Sequence, residues 1–561
     1  MTRLLGLAPP LTLLLLLGPV AAGLVGTLGP ALGYLPVLGG ETLSTAPLEA
    51  LMATPGLATM VALTLVASVG GGVLALLLVV AFAAAWHGTR PFRLMTRALS
   101  PLLAVPHAAA ALGFAFLIAP SGLLARLFSP WATGWERPPD WLIVHDTQGL
   151  TLMAFLALKE MPFLFLMLLS ALAQVDSQRT MAVARTLGYG QMSAWLKGVW
   201  PQVWPQLRLP FYAVLAYGAS AVDVATLLGP TTPPPLAVQI VRWTYEPDLD
   251  YRFVAAAGSL LLLGIIVLIL GTAWGVERLL AVPFHHWCQN GVRGARDGTW
   301  RLAGLGGAAL VAAGILGGLV VLGVWSLARR WRFPDTLPAA WSLQAWERAA
   351  ADLAVPVANT LVVGLTAVVV AVCLTVACLE YESLRRRPAT RAMVLLYVPL
   401  LVPQVSFLFG LQVWMLWLGL APDATAVAVA HLVYVLPYVF LSLADPWRRF
   451  DPRYATTAAG LGISPWRTLF AVKLPMLSRS VATATAVGFA VSVGQYLPTL
   501  LIGAGRVPTV ATETVALATG GDRRLAAAAG LVQASLPALA FGLALVLPAL
   551  WFRQRRGMKV S

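Results

Sequence analysis

Three charged residues stand inside long apolar runs, and they are where chemistry is first to be sought. Lys159 and Glu160 are consecutive within 149–171, and Asp223 lies within 208–229. A charge near mid-bilayer costs at least ~2.5–3.5 kcal/mol on insertion scales, so such groups turn toward the protein interior and find partners. Consecutive residues on a helix point about 100° apart, so Lys159 and Glu160 cannot face one partner. Two readings are open: an ion pair that ties helices together, or the polar lining of a solute path. In the second part of the chain Gln495-Tyr496 occupies the place near Asp223, and Leu436 replaces Glu160. A path lined by Lys159, Glu160, Asp223, Gln495 and Tyr496 would be asymmetric.

The other reactive residue types carry less. Cys288, Cys373 and Cys378 lack metal-ligand spacing. The six histidines, with His285 and His286 adjacent, have no carboxylate cluster near them in sequence and read as structural. There is no Gly-Lys-Ser/Thr phosphate loop, no Gly-x-Ser-x-Gly elbow and no His-Glu-x-x-His. No catalytic residue, metal or cofactor bound by this chain is expected. If transport here consumes ATP, a separate chain hydrolyses it.

The elements that carry these residues follow from composition. Of 561 residues 59% are hydrophobic and 11% charged, too apolar for an ordinary soluble protein. A helical span needs roughly 20 apolar residues. Twelve runs qualify: 4–28, 58–86, 99–119, 149–171, 208–229, 253–275, 301–327, 357–380, 391–417, 424–444, 480–502 and 526–551. In lipid the backbone must satisfy its own hydrogen bonds, so the fold class is an all-α membrane protein. The short alternating strands of an outer-membrane barrel are absent. The first run has a basic start, Arg3, but is longer than a signal core and lacks a small-x-small site, so it reads as an uncleaved span.

The net charge of +15 would suit a nucleic-acid partner, but topology explains it better. With the N-terminus cytoplasmic and twelve spans, 26 of the 38 basic residues fall on the cytoplasmic side, 11 on the other, and Lys159 within a span. This is the positive-inside bias. It places both termini in the cytoplasm. Arg329, Arg330 and Arg332, after the seventh span, run against it.

One polar segment occurs twice. Residues 185–205 read RTLGYGQMSAWLKGVWPQVWP and 459–479 read AGLGISPWRTLFAVKLPMLSR. Gly188 to Pro201 and Gly462 to Pro475 are both 13 positions. Leu-Gly can end one short helix and start another at an angle, because glycine takes backbone angles closed to other residues. The following helix carries Trp195 and Val199 at i, i+4 in the first copy, and Trp466 and Phe470 in the second. Such a helix can lie at the membrane surface or dock in a partner's groove. The equal spacing of two copies favours docking, at matching helix faces.

Further landmarks repeat in order. Pro162 matches Pro437, and Val105-Pro106 matches Val402-Pro403. The chain therefore divides into a first six-span half, 1–275, a polar linker, 276–300, and a second six-span half, 301–561. An even number of spans per half makes the repeat parallel, with a pathway between the halves.

The doubled loop resembles the EAA loop of ABC-importer permeases. Ala184, Arg185, Leu187, Gly188 and Pro201 fit that pattern in the first copy, and Ala458, Leu461, Gly462 and Pro475 in the second. Both copies depart at its first position, where Ala182 and Thr456 replace the usual Glu. The resemblance covers the whole chain and is nearest to two permeases fused in one polypeptide, as in the thiamine and iron(III) branch. It implies the ABC importer permease (MetI-like) fold and an inner-membrane location. It also implies two copies of an ABC ATPase, coupled through loops 174–207 and 446–479, and a periplasmic solute-binding protein. The solute stays open among thiamine, iron(III), a sulfur compound and other small molecules. A twelve-span secondary transporter is the rival reading, but 87–98 and 381–391 lack its Asp-Arg-Gly signature. A lipid-modifying enzyme would need an interfacial His and carboxylate cluster.

The topology is tested by single cysteines at Gly298 and Thr232 in a cysteine-free background. In intact spheroplasts an impermeant thiol reagent is expected to label position 232 and spare 298. The reverse pattern would refute the orientation.

Overall fold

The computed structural model describes residues 2–294, 297–385 and 392–551. Eight of the basic residues assigned to the cytoplasmic side, Arg296, Arg386, Arg387, Arg391, Arg553, Arg555, Arg556 and Lys559, lie outside these described segments.

Among the described residues nine helices are long and apolar enough to cross a membrane, and three bent pairs bring the number to as many as twelve. The expected spans are present, but four are broken. Arg90–Leu102 is followed after a gap by His107–Ile118. Its counterpart, Met393–Leu401 and Gln404–Trp417, bends by 86°. Both breaks fall at the Val-Pro pairs. Proline has no N–H to donate and forces its predecessor out of the helical region, and Val402 is extended, with ψ 130°. The fifth span, Gln191–Ser220, bends by 55° into Val222–Leu228 across Ala221. The eleventh, Ser478–Val493, stops at Gly494 and resumes as Leu497–Gly503. Each short helix packs against the helix that follows the Val-Pro break of its own half.

The sixth span continues into the expected linker, 276–300. It runs as one helix from Tyr251 to Gln289, well past residue 275. Glu277 holds the extension to the fifth span, accepting from Trp204 Nε1 at 2.9 Å and Tyr212 Oη at 2.8 Å. The seventh span begins at Gly298 and runs to Leu327. Beyond that span Arg329 and Arg330 lie in a small hairpin, Ala328–Arg330 with Ala340–Trp341. The Arg332 carbonyl accepts from the buried Arg126 guanidinium at 2.7 Å, so this basic stretch is tied to the end of the third span.

The two sequence halves interlock. The first span, Arg3–Ala31, packs on Gln404–Trp417 of the second half, and the seventh packs on His107–Ile118 of the first. Glycines permit both crossings. A Cβ on Gly113 would lie 2.8 Å from the Gly318 carbonyl, and one on Gly318 would lie 2.9 Å from Gly113. A Cβ on Gly410 would overlap the carbonyl oxygen of Gly23. Small residues let helix backbones touch in a membrane. Thr27 Oγ1 donates to the Ser406 carbonyl at 2.6 Å and Trp414 Nε1 to the Ala22 carbonyl at 2.8 Å, bonding the first crossing. One hydrophobic core accordingly includes residues of both halves, from Val20 to Val515.

Gly113→Leu and Gly410→Leu should each disrupt this interlock, since the side chain meets backbone and overpacking costs at least about 1–3 kcal/mol. Size-exclusion profiles in detergent should lose the monodisperse peak. Gly271→Leu, at a glycine with open space around it, should keep that peak.

Candidate functional site

Between the halves, the helix breaks gather polar groups. Glu160 is buried in the fourth span, Leu150–Leu172, and its Oε1 lies 3.0 Å from His107 Nε2. His107 is the first residue after the Val105-Pro106 break, and its ring packs on Tyr217 at 4.9 Å. Asp223 is buried in the opening turn of Val222–Leu228. It is a charged neighbour of His107, Tyr217 and Tyr496, and Glu160 is a charged neighbour of Tyr217 and Tyr438. Glu160 and Asp223 thus both act electrostatically on Tyr217, and Asp223 also on Tyr496 of the second half. Gln495 is half-buried beside Tyr496 at the break of the eleventh span.

Lys159 has a backbone partner of its own. It is 2% exposed and donates from Nζ to the Leu102 carbonyl at 3.1 Å. It thus closes the C-terminal end of Arg90–Leu102, where unpaired carbonyls and the helix dipole favour a cation. His107 reads from sequence as structural, yet it is the residue that meets Glu160. Its signal was its place directly after a proline break, matched by Gln404 after Pro403.

The two loops share a backbone. In the first, Ser177–Thr186 begins at Asp176, whose carboxylate accepts from Arg179 N. It ends at Leu187, and Gly188 follows at φ +82°. In the second, Pro452–Gly460 begins at Asp451 and is followed by Leu461 and Gly462 at φ +72°. The Ala184 carbonyl accepts from Tyr189 N at 3.1 Å and the Ala458 carbonyl from Ile463 N at 3.0 Å. This six-to-one bond is the Schellman closure, which needs left-handed angles at the glycine. The next helices each contain a wide π turn, Trp195–Val199 and Leu469–Lys473. Pro201 and Pro475 come two residues after these turns. A proline ring crowds the carbonyl four residues back, and a wider turn relieves it.

The expectation of matching aromatic faces is corrected. Counted from the glycines, Trp195 and Val199 correspond to Leu469 and Lys473, and all four are buried. Trp466 and Phe470 correspond to Met192 and Leu196. They stack with ring centroids 6.2 Å apart, and Phe470 is 63% exposed. The two i, i+4 pairs are offset by three residues and lie on different faces. The Trp195 face holds the helix to its own half; the Phe470 face is open. Leu187, Leu461, Ala182 and Thr456 are also exposed.

Each loop is fastened to the end of a neighbouring span. Lys473 Nζ is 2.7 Å from Glu380 Oε2 and 4.6 Å from the Trp447 ring centroid. In the first half, Gln191 Nε2 donates to the His87 carbonyl at 3.3 Å and pairs through Oε1 with Arg185. His87 Nε2 is 3.0 Å from Ser177 Oγ. Burial, and secondarily Arg185, push the His87 imidazole below its ordinary range, so it stays neutral in the joint.

Comparison with known proteins places this architecture. Residues 368–555 match the family described as "Binding-protein-dependent transport system inner membrane component". The chain is 35% identical over 505 residues to the inner membrane ABC transporter permease protein YnjC of Escherichia coli K12, covering 88% of this chain and 89% of that protein. The chain belongs to the ABC transporter permease family. A Mycoplasma genitalium homologue of the spermidine/putrescine permease PotC is 26% identical, over 30% of this chain and 61% of its own. The molybdenum permease ModB of Azotobacter vinelandii is 36% identical, over 18% and 45%. The full-length match sets aside the secondary transporter.

The register of the loops has a direct test in this permease. Trp195→Ala should open a cavity and destabilise the protein by about 3–5 kcal/mol. Phe470→Ala, at an exposed site, should shift stability by less than about 0.5 kcal/mol. Thermal unfolding in detergent distinguishes the two.

Proposed function

We propose that this permease is the membrane subunit of a binding-protein-dependent ABC importer for a small cationic solute of the thiamine-like or iron(III)-like class. Two copies of a separate ATPase dock at loops 174–207 and 446–479 on the cytoplasmic side. A periplasmic solute-binding protein delivers cargo to the opposite face of the inner membrane. ATP binding and hydrolysis in the ATPase pair rock the halves between openings, and the chain itself catalyses no reaction. The paired loop geometry carries this reading: two glycine-closed corners at homologous positions, each with exposed apolar residues and each bolted to a span of its own half.

The polar groups gathered at the helix breaks support a cation as cargo. Glu160 and Asp223 bring carboxylates, while Tyr217, Tyr438 and Tyr496 bring ring faces that attract positive charge. Lys159 is engaged with the Leu102 carbonyl. Two like charges 4 Å apart repel by roughly 4 kcal/mol at an effective dielectric of 20, so carboxylates oppose passage of an anion. The relatives' names span both signs, spermidine and putrescine on one side and molybdenum on the other. The residues of this path favour the former sign.

Proteoliposomes containing permease, ATPase and binding protein provide the test. Gly188→Trp with Gly462→Trp should leave assembly intact but reduce ATPase retention and ATP hydrolysis by at least tenfold. Glu160→Gln with Asp223→Asn should retain the ATPase, yet reduce uptake of labelled thiamine or ferric iron by about tenfold or more. Full hydrolysis in the glycine variant would refute docking at the loops. Uptake of molybdate in place of the cations would refute the cargo assignment.

A further inference from the structure

The two loops differ in what lies against them. No heavy atom comes within 4 Å of where a Cβ of Gly462 would sit, whereas the same position at Gly188 faces the Arg293 side chain at 3.5 Å. Residues between the halves are seated on the first loop. Gly190 N donates to the Arg293 carbonyl at 3.0 Å. Lys197 Nζ donates to Asn290 Oδ1 at 2.8 Å and to the Val292 carbonyl at 3.0 Å, and lies 4.7 Å from the Trp287 ring centroid.

One bond explains why the seat is there. The first four N–H groups of a helix lack partners within it, and a side chain at the N-cap normally takes one of them. In the second loop the N-cap is Ser464, whose hydroxyl accepts from Arg467 N. In the first loop the N-cap is Gly190, which has no side chain to offer. The missing acceptor comes from the linker: Asp297 Oδ2 accepts from Met192 N at 2.9 Å. Asp297 stands at the N-cap of the seventh span, yet its carboxylate makes no cap bond to that helix. It reaches across to the loop instead, and its negative charge suits that helix terminus.

We propose that residues 287–294 together with Asp297, between the halves, are a working part of the first ATPase-docking surface: Asp297 caps the first coupling helix from outside, and Arg293 stands beside it as part of what the ATPase meets. This rests on reading both loops as docking surfaces. The ATPase pair then faces two unlike surfaces. One is an open aromatic face, Trp466 and Phe470; the other is a helix buttressed by residues 287–294 and Asp297. Fusing the halves thus gives the first loop a cap that its own sequence lacks.

Hydrogen exchange on the full-length permease in nanodiscs tests the cap without the ATPase. Asp297→Ala should speed exchange of residues 190–194 about fivefold, the ratio that corresponds to a lost N-cap of ~1 kcal/mol, and leave 464–468 unchanged. Asp297→Asn keeps an acceptor and should stay near the parent. Gly190→Ser, which restores the arrangement of Ser464, should rescue Asp297→Ala. Docking is tested in the Gly462→Trp background, where the first loop is the remaining surface; there Asp297→Ala should weaken ATPase retention about fivefold and Gly190→Ser should restore it. Unchanged exchange at 190–194, equal change at 464–468, or undiminished retention in that background would overturn the inference. Retention by Gly188→Trp with Gly462→Trp would instead overturn the docking reading beneath it.

Discussion

Backbone contact between helices of opposite halves is the constraint on which the rest of this structure depends. Where Gly113 meets Gly318 and Gly410 meets Gly23, two helices touch with no side chain between them. Lipid offers little hydrophobic drive for helices to associate, so close packing and hydrogen bonds must supply it. The crossings commit the first span of each half to the other half. With the halves so interlocked, Glu160 comes within electrostatic reach of Tyr438 and Asp223 of Tyr496, across the two halves.

Breaks in the helices then do what continuous helices cannot. A straight span presents side chains and hides its backbone. The Val-Pro breaks and the gaps at Ala221 and Gly494–Tyr496 free backbone groups at depth, which is tolerated where protein or a water-filled cavity surrounds them. Lys159 answers one such group, the Leu102 carbonyl, and His107 begins the next helix within reach of Glu160. One of two adjacent charged residues therefore repairs a helix end while the other meets His107.

The loops show how one backbone serves two unlike surfaces. Both close on a left-handed glycine and widen before a proline, but their side chains diverge. The first is fastened through a neutral His87 and Gln191 joint and bonded to Asn290, Val292, Arg293 and Asp297. The second is fastened by the Lys473–Glu380 pair and left open. A buried ion pair of this kind contributes little net stability, but removal of one partner leaves an unpaired charge and costs about 3–5 kcal/mol.

Composition and the length of the apolar runs alone determined that the chain is an all-α membrane protein, and equal Gly-to-Pro spacing marked both loops. These are local properties: apolar length, the freedom of glycine and the missing N–H of proline act within a few residues. Tertiary structure decided which half each span joins, because a glycine in a helix does not say which backbone will approach it. It also decided that Lys159 and Glu160 serve different ends, that His107 belongs with Glu160, and that Trp195 faces inward while Phe470 faces out. The sequence pattern Trp-x-x-x-Val resembles Trp-x-x-x-Phe in spacing. Their helices, however, are held by different neighbours, and a shift of three residues turns a helix by about 300°, presenting another face.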